Sequence, residues 1–238
     1  NNEDNFVVSA DLNAGEWLLP RDCHTVFTLG NKGAMLVVAD GMGGLDAGEI
    51  ASRIAVDTMK EFFSADKITD EIVKDASTIR KYMYEAVVAA DNAIKRKSRE
   101  EKSVKSMGTT LVAAWLFDGY ANIIWCGDSR GYLFNPVSGL AQVTKDHSYV
   151  QELVDSGRLL PEYAFDHPDN NIITRSLGNP QKAANPDFVR LPLQEGEVIL
   201  LCTDGLNSML RDEEIEAVMQ ETSNEIDTCT KALIQGAL

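Results

Sequence analysis

Positive charge is scarce in this chain of 238 residues: 22 lysines and arginines stand against 37 aspartates and glutamates, a formal net charge of −15. Such a surface repels phosphate backbones and anionic bilayers, so neither nucleic acid nor membrane is an expected partner. Long apolar runs are missing too, since none approaches the roughly 18–20 residues that a membrane span requires. The opening NNEDNFVV has neither the basic nor the apolar region of a secretory signal. Cysteine is sparse and scattered, at Cys23, Cys126, Cys202 and Cys229, with no CxxC pair. That spacing argues against a disulfide framework or a zinc site and makes a reducing cytoplasm the simplest location. Cys126 and Cys202 close apolar runs, where cysteine behaves as a small buried hydrophobe.

A hydrophobic fraction of 44% suffices for one sizeable core, and a single domain over residues 1–238 fits the length. Strands are expected at NFVVSA (5–10), TVFTL (25–29), AMLVVA (34–39), TTLVAAWLF (109–117), ANIIWC (121–126), GYLF (131–134) and VILLC (198–202). Two amphipathic helices lie between the third and fourth. Ala51, Ile54, Ala55, Thr58, Met59 and Phe62 form one stripe; Ile79, Tyr82, Met83, Ala86, Val87 and Ala90 form the other. Ile226, Cys229, Leu233 and Ile234 suggest a last helix. Short links such as Asp118–Gly119 imply antiparallel hairpins after residue 109. This order is not the alternation of a parallel βαβ sheet; sheets with helical layers on their faces fit better. Residues 146–175 are polar and partly helical, and read as a flap-like excursion.

Three apolar runs end in an acid: Asp40–Gly41 after AMLVVA, Asp128 after IIWCG, and Asp204–Gly205 after VILLCT. Glu3 and Asp4 stand just before another run. One Asp-Gly is most simply a turn. Several acids gathered at one place would repel and need cations between them. Hard divalent ions suit carboxylate oxygens, and Mg²⁺ or Mn²⁺ is expected because no His or Cys accompanies the acids. After Asp40 the glycines let the backbone turn sharply and come close to an ion.

The stretch VVADGMGGLDAGEIAS (37–52) resembles the signature of the metal-dependent serine/threonine phosphatases, the protein phosphatase 2C (PPM) family in its bacterial form. NNEDNF, SMGTTLVAAW, CGDSRGYLF, KDHSYVQELVDSG, HPDNNIITRSLG and LLCTDGL follow the family's order over nearly the whole chain. The resemblance implies an α+β fold, a PP2C-like four-layer α-β-β-α sandwich of two antiparallel sheets flanked by helix pairs. It implies two Mn²⁺ or Mg²⁺ ions at one edge, with Asp40 bridging both, the Gly41 carbonyl on one and Asp204 on the other. Asp4, with Glu3, would act near the Gly41-side ion, and Asp128 with Asp204 would form a third, weaker site. Asp40 and Asp204 would thereby hold the water that attacks phosphoserine or phosphothreonine, reversing a Ser/Thr kinase. The expected molecule is a cytoplasmic monomer whose partners are phosphorylated proteins. The rival reading is a catalytically impaired pseudophosphatase that binds a partner; retention of Asp4, Asp40, Asp128 and Asp204 favours the enzyme.

Departures from the family pattern are specific. Met42 and Leu45 stand where eukaryotic and bacterial members carry His, and Asn207 and Ser208 where an acid is common. By resemblance, a phosphate-binding Arg would precede Asn1, and an Asp-Asn pair with a closing strand would follow Leu238, so a longer native chain is expected. His147 in KDHS reads as a structural hydrogen-bonding residue, and His24 and His167 as structural or exposed. GDSR (127–130) is not a GxSxG elbow, GMGG lacks the GK[ST] ending of a phosphate loop, and Cys202 has no basic loop to activate a thiolate.

Overall fold

The computed structural model describes residues 2–17, 28–43, 46–100, 107–222 and 225–238. Most of the strand expected at 25–29 lies outside these residues, as do Cys23, His24 and Leu45. Among the described residues the chain runs β1 (Asn5–Ser9), β2 (Ala34–Ala39), β3 (Gly41–Met42), α1 (Ala47–Phe62), α2 (Ala76–Glu100), β4 (Gly108–Thr109), β5 (Leu111–Phe117) and β6 (Tyr120–Cys126). It continues through β7 (Arg130–Asn135), β8 (Gly139–Gln142), α3 (Tyr149–Asp155), β9 (Asp187–Pro192), β10 (Val198–Cys202), α4 (Asp204–Asn207), α5 (Asp212–Thr222) and α6 (Ile226–Ala237).

Period-2 alternation sets the layers. In β2, Met35, Val37 and Ala39 join one apolar cluster, whereas Leu36 and Val38 join another on the opposite face. β5 repeats this with Leu111, Ala113 and Trp115 against Val112 and Ala114. Both faces are covered, which is why these strands read as nearly unbroken apolar runs. They belong to an antiparallel sheet ordered β1-β2-β5-β6-β9. Its first face packs on Ala51, Ala55 and Met59 of α1 and on Ile79, Met83 and Val87 of α2. Its second face meets Ile199 and Leu201 of the three-stranded sheet β10-β7-β8. The far side of that sheet presents Tyr132, Phe134 and Cys202 to Ile215 and Met219 of α5 and to Cys229 and Leu233 of α6. The result is the expected order of layers, α-β-β-α. Each large apolar side chain so enclosed contributes about 1.5–3 kcal/mol relative to exposure.

Several elements depart from the sequence expectation. The run 109–117 is broken at Thr110 into β4 and β5. Asp118 (φ 50°) and Gly119 (φ 75°) close the expected β5–β6 hairpin. The next link is not a hairpin: β6 pairs with β5 and β9, whereas β7 pairs with β10 and β8. The chain crosses between sheets at Gly127, whose φ of +124° and close approach to Thr110 (2.6 Å to its Cβ from a built Cβ) exclude a side chain. α5 was not anticipated, because only Ile215 and Met219 of its eleven residues are buried. Its acidic first turn, Asp212 to Glu214, is the better mark, since carboxylates favour a helix N-terminus. β9 interleaves Asp187, Arg190 and Pro192 with its apolar residues and lies at a sheet edge. In α6 only Cys229 and Leu233 of the expected stripe are buried; Ile226 and Ile234 are exposed.

Residues 146–175 hold α3 and one 3₁₀ turn, Pro161–Tyr163, and are tied at their base by a Ser148–Ile173 bridge. Among the described residues, Cys126, Cys202 and Cys229 are free and buried, and no helix is long and apolar enough to cross a membrane.

Candidate active site

Strand register brings the acids together. β1 pairs with β2 so that Asn5 faces Ala39, placing Asp4 beside Asp40. β10 pairs with β7 so that Cys202 faces Arg130, which sets Asp204 and Asp128 at the same end of the second sheet. One edge of the sandwich therefore collects four aspartates from four separate strand ends.

Threonines fix the main chain around them. The Asp40 N–H donates to Thr110 Oγ1 (3.1 Å), and the Asp40 carbonyl accepts from the Thr110 N–H (2.9 Å) and from Thr109 Oγ1 (2.7 Å). Thr110 Oγ1 also lies 2.6 Å from the hydroxyl of Ser129, next to Asp128. Thr203 Oγ1 donates to Asp4 Oδ2 at 3.2 Å. Only the Thr pair in MGTT and the Thr before Asp204 mark these three threonines in the sequence. Gly41 donates its N–H to the Glu3 carbonyl (3.2 Å), and a Cβ there would sit 2.2 Å from the Gly48 carbonyl oxygen. Only glycine permits that approach. Glu3 is held through its carbonyl, which also accepts from Ser52 Oγ (2.6 Å), while its carboxylate lies against Gly48 at the start of α1.

Electrostatics mark the place. Burial, then the charges of Asp4 and Asp204, push the Asp40 carboxyl up to about 8. Asp128 is pushed up to about 7 by burial and by Asp204 and Asp146, against the pull of Arg130. Asp4 is raised by burial, opposed by hydrogen bonds from Thr203 and with Asp40. Among the described residues no Lys or Arg forms an ion pair with Asp4, Asp40 or Asp204. Acids so placed call for a cation of high charge, and their all-oxygen donor set fits Mg²⁺ or Mn²⁺. No three His, Cys, Asp or Glu side chains among the described residues already form a closed metal-binding group. Asp4 and Asp204 both hydrogen-bond to Asp40, so three of the carboxylates already meet side by side.

His147 has a structural role, as expected. It is buried; its Nδ1 accepts from the Gly127 N–H (3.1 Å), its own N–H donates to the Gly127 carbonyl (3.0 Å), and its Nε2 lies 3.1 Å from Asp187 Oδ2. Burial lowers its pKa, the Asp187 hydrogen bond opposing. The imidazole thus holds the crossing that presents Asp128. Asn207 is buried 3.6 Å from Cys202 Sγ. Beside Asp128 and Asp204 opens a groove of about 580 Å³, walled by the 161–171 segment on one side and by α4 and α5 on the other.

A family model described as protein phosphatase 2C matches residues 18–235. A serine/threonine phosphatase stp of Listeria innocua is 37% identical over 196 residues, covering 82% of this chain and 75% of that protein. The crystal structure of the Mycobacterium tuberculosis serine/threonine phosphatase PstP/Ppp superposes with a TM-score of 0.78 at 32% identity, over 100% of this chain and 86% of that one. The catalytic domain of PstP in complex with two manganese ions gives a TM-score of 0.72 at 30% identity, again over 100% and 86%. The order of the layers, the carboxylates at one sandwich edge and these matches lead to one conclusion: the chain belongs to the protein phosphatase 2C family of metal-dependent serine/threonine protein phosphatases.

Proposed function

We propose that Asp40 and Asp204, with Asp4, Glu3, Asp128 and the Gly41 carbonyl, hold two Mn²⁺ or Mg²⁺ ions and a weaker third. The activity they serve is hydrolysis of phosphoserine and phosphothreonine on proteins, reversing a Ser/Thr kinase. The observation that carries this reading is the gathering of Asp4, Asp40, Asp128 and Asp204 at one sandwich edge, where burial, Asp4 and Asp204 push Asp40 up to about 8 and no Lys or Arg among the described residues pairs with it. When bound, the ions supply an activated water and neutralise charge on the phosphoryl group. The chain's own residues do the rest. Asp40 stands between Asp4 and Asp204 and is the natural shared ligand. Thr109 and Thr110 keep its main chain from moving, and Thr203 orients Asp4. Met42 leaves no imidazole at that point of the signature to donate a proton. A single domain over 1–238, with 146–175 as its flap, fits this reading. The charge of −15, which repels other copies, supports a monomer, and the free buried cysteines support a cytoplasmic setting.

The test is hydrolysis of p-nitrophenyl phosphate and of matched phosphoserine, phosphothreonine and phosphotyrosine peptides. Excess chelator should abolish turnover and Mn²⁺ or Mg²⁺ restore it, with the phosphoserine and phosphothreonine peptides, both alkyl phosphates, preferred over phosphotyrosine. Full activity in chelator, or Zn²⁺ as the best activator, would overturn the ligand assignment.

A further inference from the structure

The groove beside the acids holds six carboxylates against two arginines in its lining. Most of these charges are already engaged. Arg130 is clamped by Asp146, with Nε and Nη2 at 2.7–3.1 Å from its oxygens, and reaches Asp212 at 3.4 Å. Arg211 pairs with Asp166 at 2.6 Å and lies over the Phe165 ring at 4.1 Å, so neither arginine is free to receive a substrate carboxylate. Asp128 and Asp204 belong to the metal reading above. Two carboxylates remain: Glu162 on the 3₁₀ turn of the flap and Glu213 in the first turn of α5. Both are exposed and have no hydrogen-bond or ion-pair partner among the described residues. Val154 of α3, partly exposed, and the nearly buried Val150 add apolar surface to the groove's lining.

We propose that this groove receives the protein segment flanking the phosphorylated residue and selects a lysine or arginine there, read by Glu162 and Glu213. A long basic side chain fits both features, since its methylene stem can lie along Val150 and Val154 while its head meets the carboxylates. An acidic flank would meet only unpaired negative charge. The inference rests on the phosphatase reading and names the substrate class of that same site.

The experiment compares two phosphothreonine peptides, identical except for lysine-arginine or glutamate flanks, as kcat/KM with Mn²⁺ present. The wild-type chain should prefer the basic peptide by about three- to tenfold at low salt, the range that two exposed charge pairs supply. Added salt should shrink that ratio toward one. The double variant Glu162→Lys/Glu213→Lys should invert it, and because a ratio is read within one preparation, loss of folded protein cancels. Equal rates for both peptides, a ratio insensitive to salt, or a preference unchanged in the double variant would each overturn the groove assignment while leaving the phosphatase reading intact. Hydrolysis of neither peptide would overturn both.

Discussion

Replacing Asp40 by Asn should make the metal-free protein more stable at alkaline pH while abolishing its activity. Folded, the Asp40 carboxyl holds its proton up to about pH 8; in the unfolded chain it loses it near its ordinary value of 3.8. Between those values the native state binds the extra proton, so stability is greatest at the acidic end and falls as pH rises through 8. A wholly shielded carboxyl displaced this far would contribute about 5–6 kcal/mol. Asp40 keeps some contact with solvent, and screening brings the figure to on the order of 2 kcal/mol. For a chain of this size that is about 4–8 °C in Tm. Asparagine carries no charge to repel Asp4 and Asp204. In EDTA the variant should therefore melt several degrees above wild type at pH 8.5, and above it by only about a third of that margin at pH 5. With Mn²⁺ the order should reverse, because only the wild type gains a bound ion. Thermal melts at the two pH values decide the matter. A variant no more stable than wild type at pH 8.5, or equally stabilised at pH 5, would refute the claim that repulsion at Asp40 strains the metal-free fold.

Asp40→Asn should lower kcat at least tenfold more than Asp128→Asn, since Asp40 is the proposed shared ligand and Asp128 is proposed to hold only a weaker third ion; equal losses in steady-state assays would reject that ranking. Asp91 offers a test away from the centre: only 2% exposed, it accepts from the Gly178 and Ala184 N–H groups at 2.8 and 3.1 Å and pairs with Lys95 at 2.6 Å. Asp91→Ala would strand two buried donors and leave Lys95 with only the Lys182 carbonyl, so denaturant melts should show a loss of about 3–5 kcal/mol, and a loss below about 1 kcal/mol would show that the loop 178–184 rearranges around it.

Much of this architecture was legible because a doubly covered strand leaves a blunt trace. AMLVVA and VILLC coincide residue for residue with β2 and β10, and the alanine-rich stripes of α1 and α2 mark a helix pair pressed onto a sheet. Elements with one thinly buried side left little trace. Helix α5 shows only Ile215 and Met219, and Gly139–Gln142 is a four-residue edge strand with no fully buried residue. The crossover at Gly127 was illegible for another reason: GDS reads locally as a turn, and only the contact with Thr110, 17 positions earlier, turns it into a step between sheets. The acids were found because aspartate at the end of an apolar run is conspicuous. The threonines that hold them were passed over because a hydroxyl in a strand is ordinary, and its partner lies far away in sequence. Glu162 and Glu213 could not be singled out among 37 acids until the fold had shown which of them face a cavity without a partner.

The hydrogen bond from Thr203 to Asp4 joins residues 199 positions apart, and this separation has a bearing on how the enzyme is born. A ribosome adding about 5–20 residues per second makes Asp4 some 10–40 s before Asp204. Throughout that interval the early acids have no later partners, and contacts so distant in sequence are among the slowest to form. A nascent or truncated chain that stops short of β10 would lack Asp204, one of the two acids proposed to hold the ions. On the proposed ligand set, catalytic competence would arrive only when the second sheet has closed on the first. Turnover is in this sense a proofreading signal for the whole sandwich, and a partly made phosphatase is a silent one.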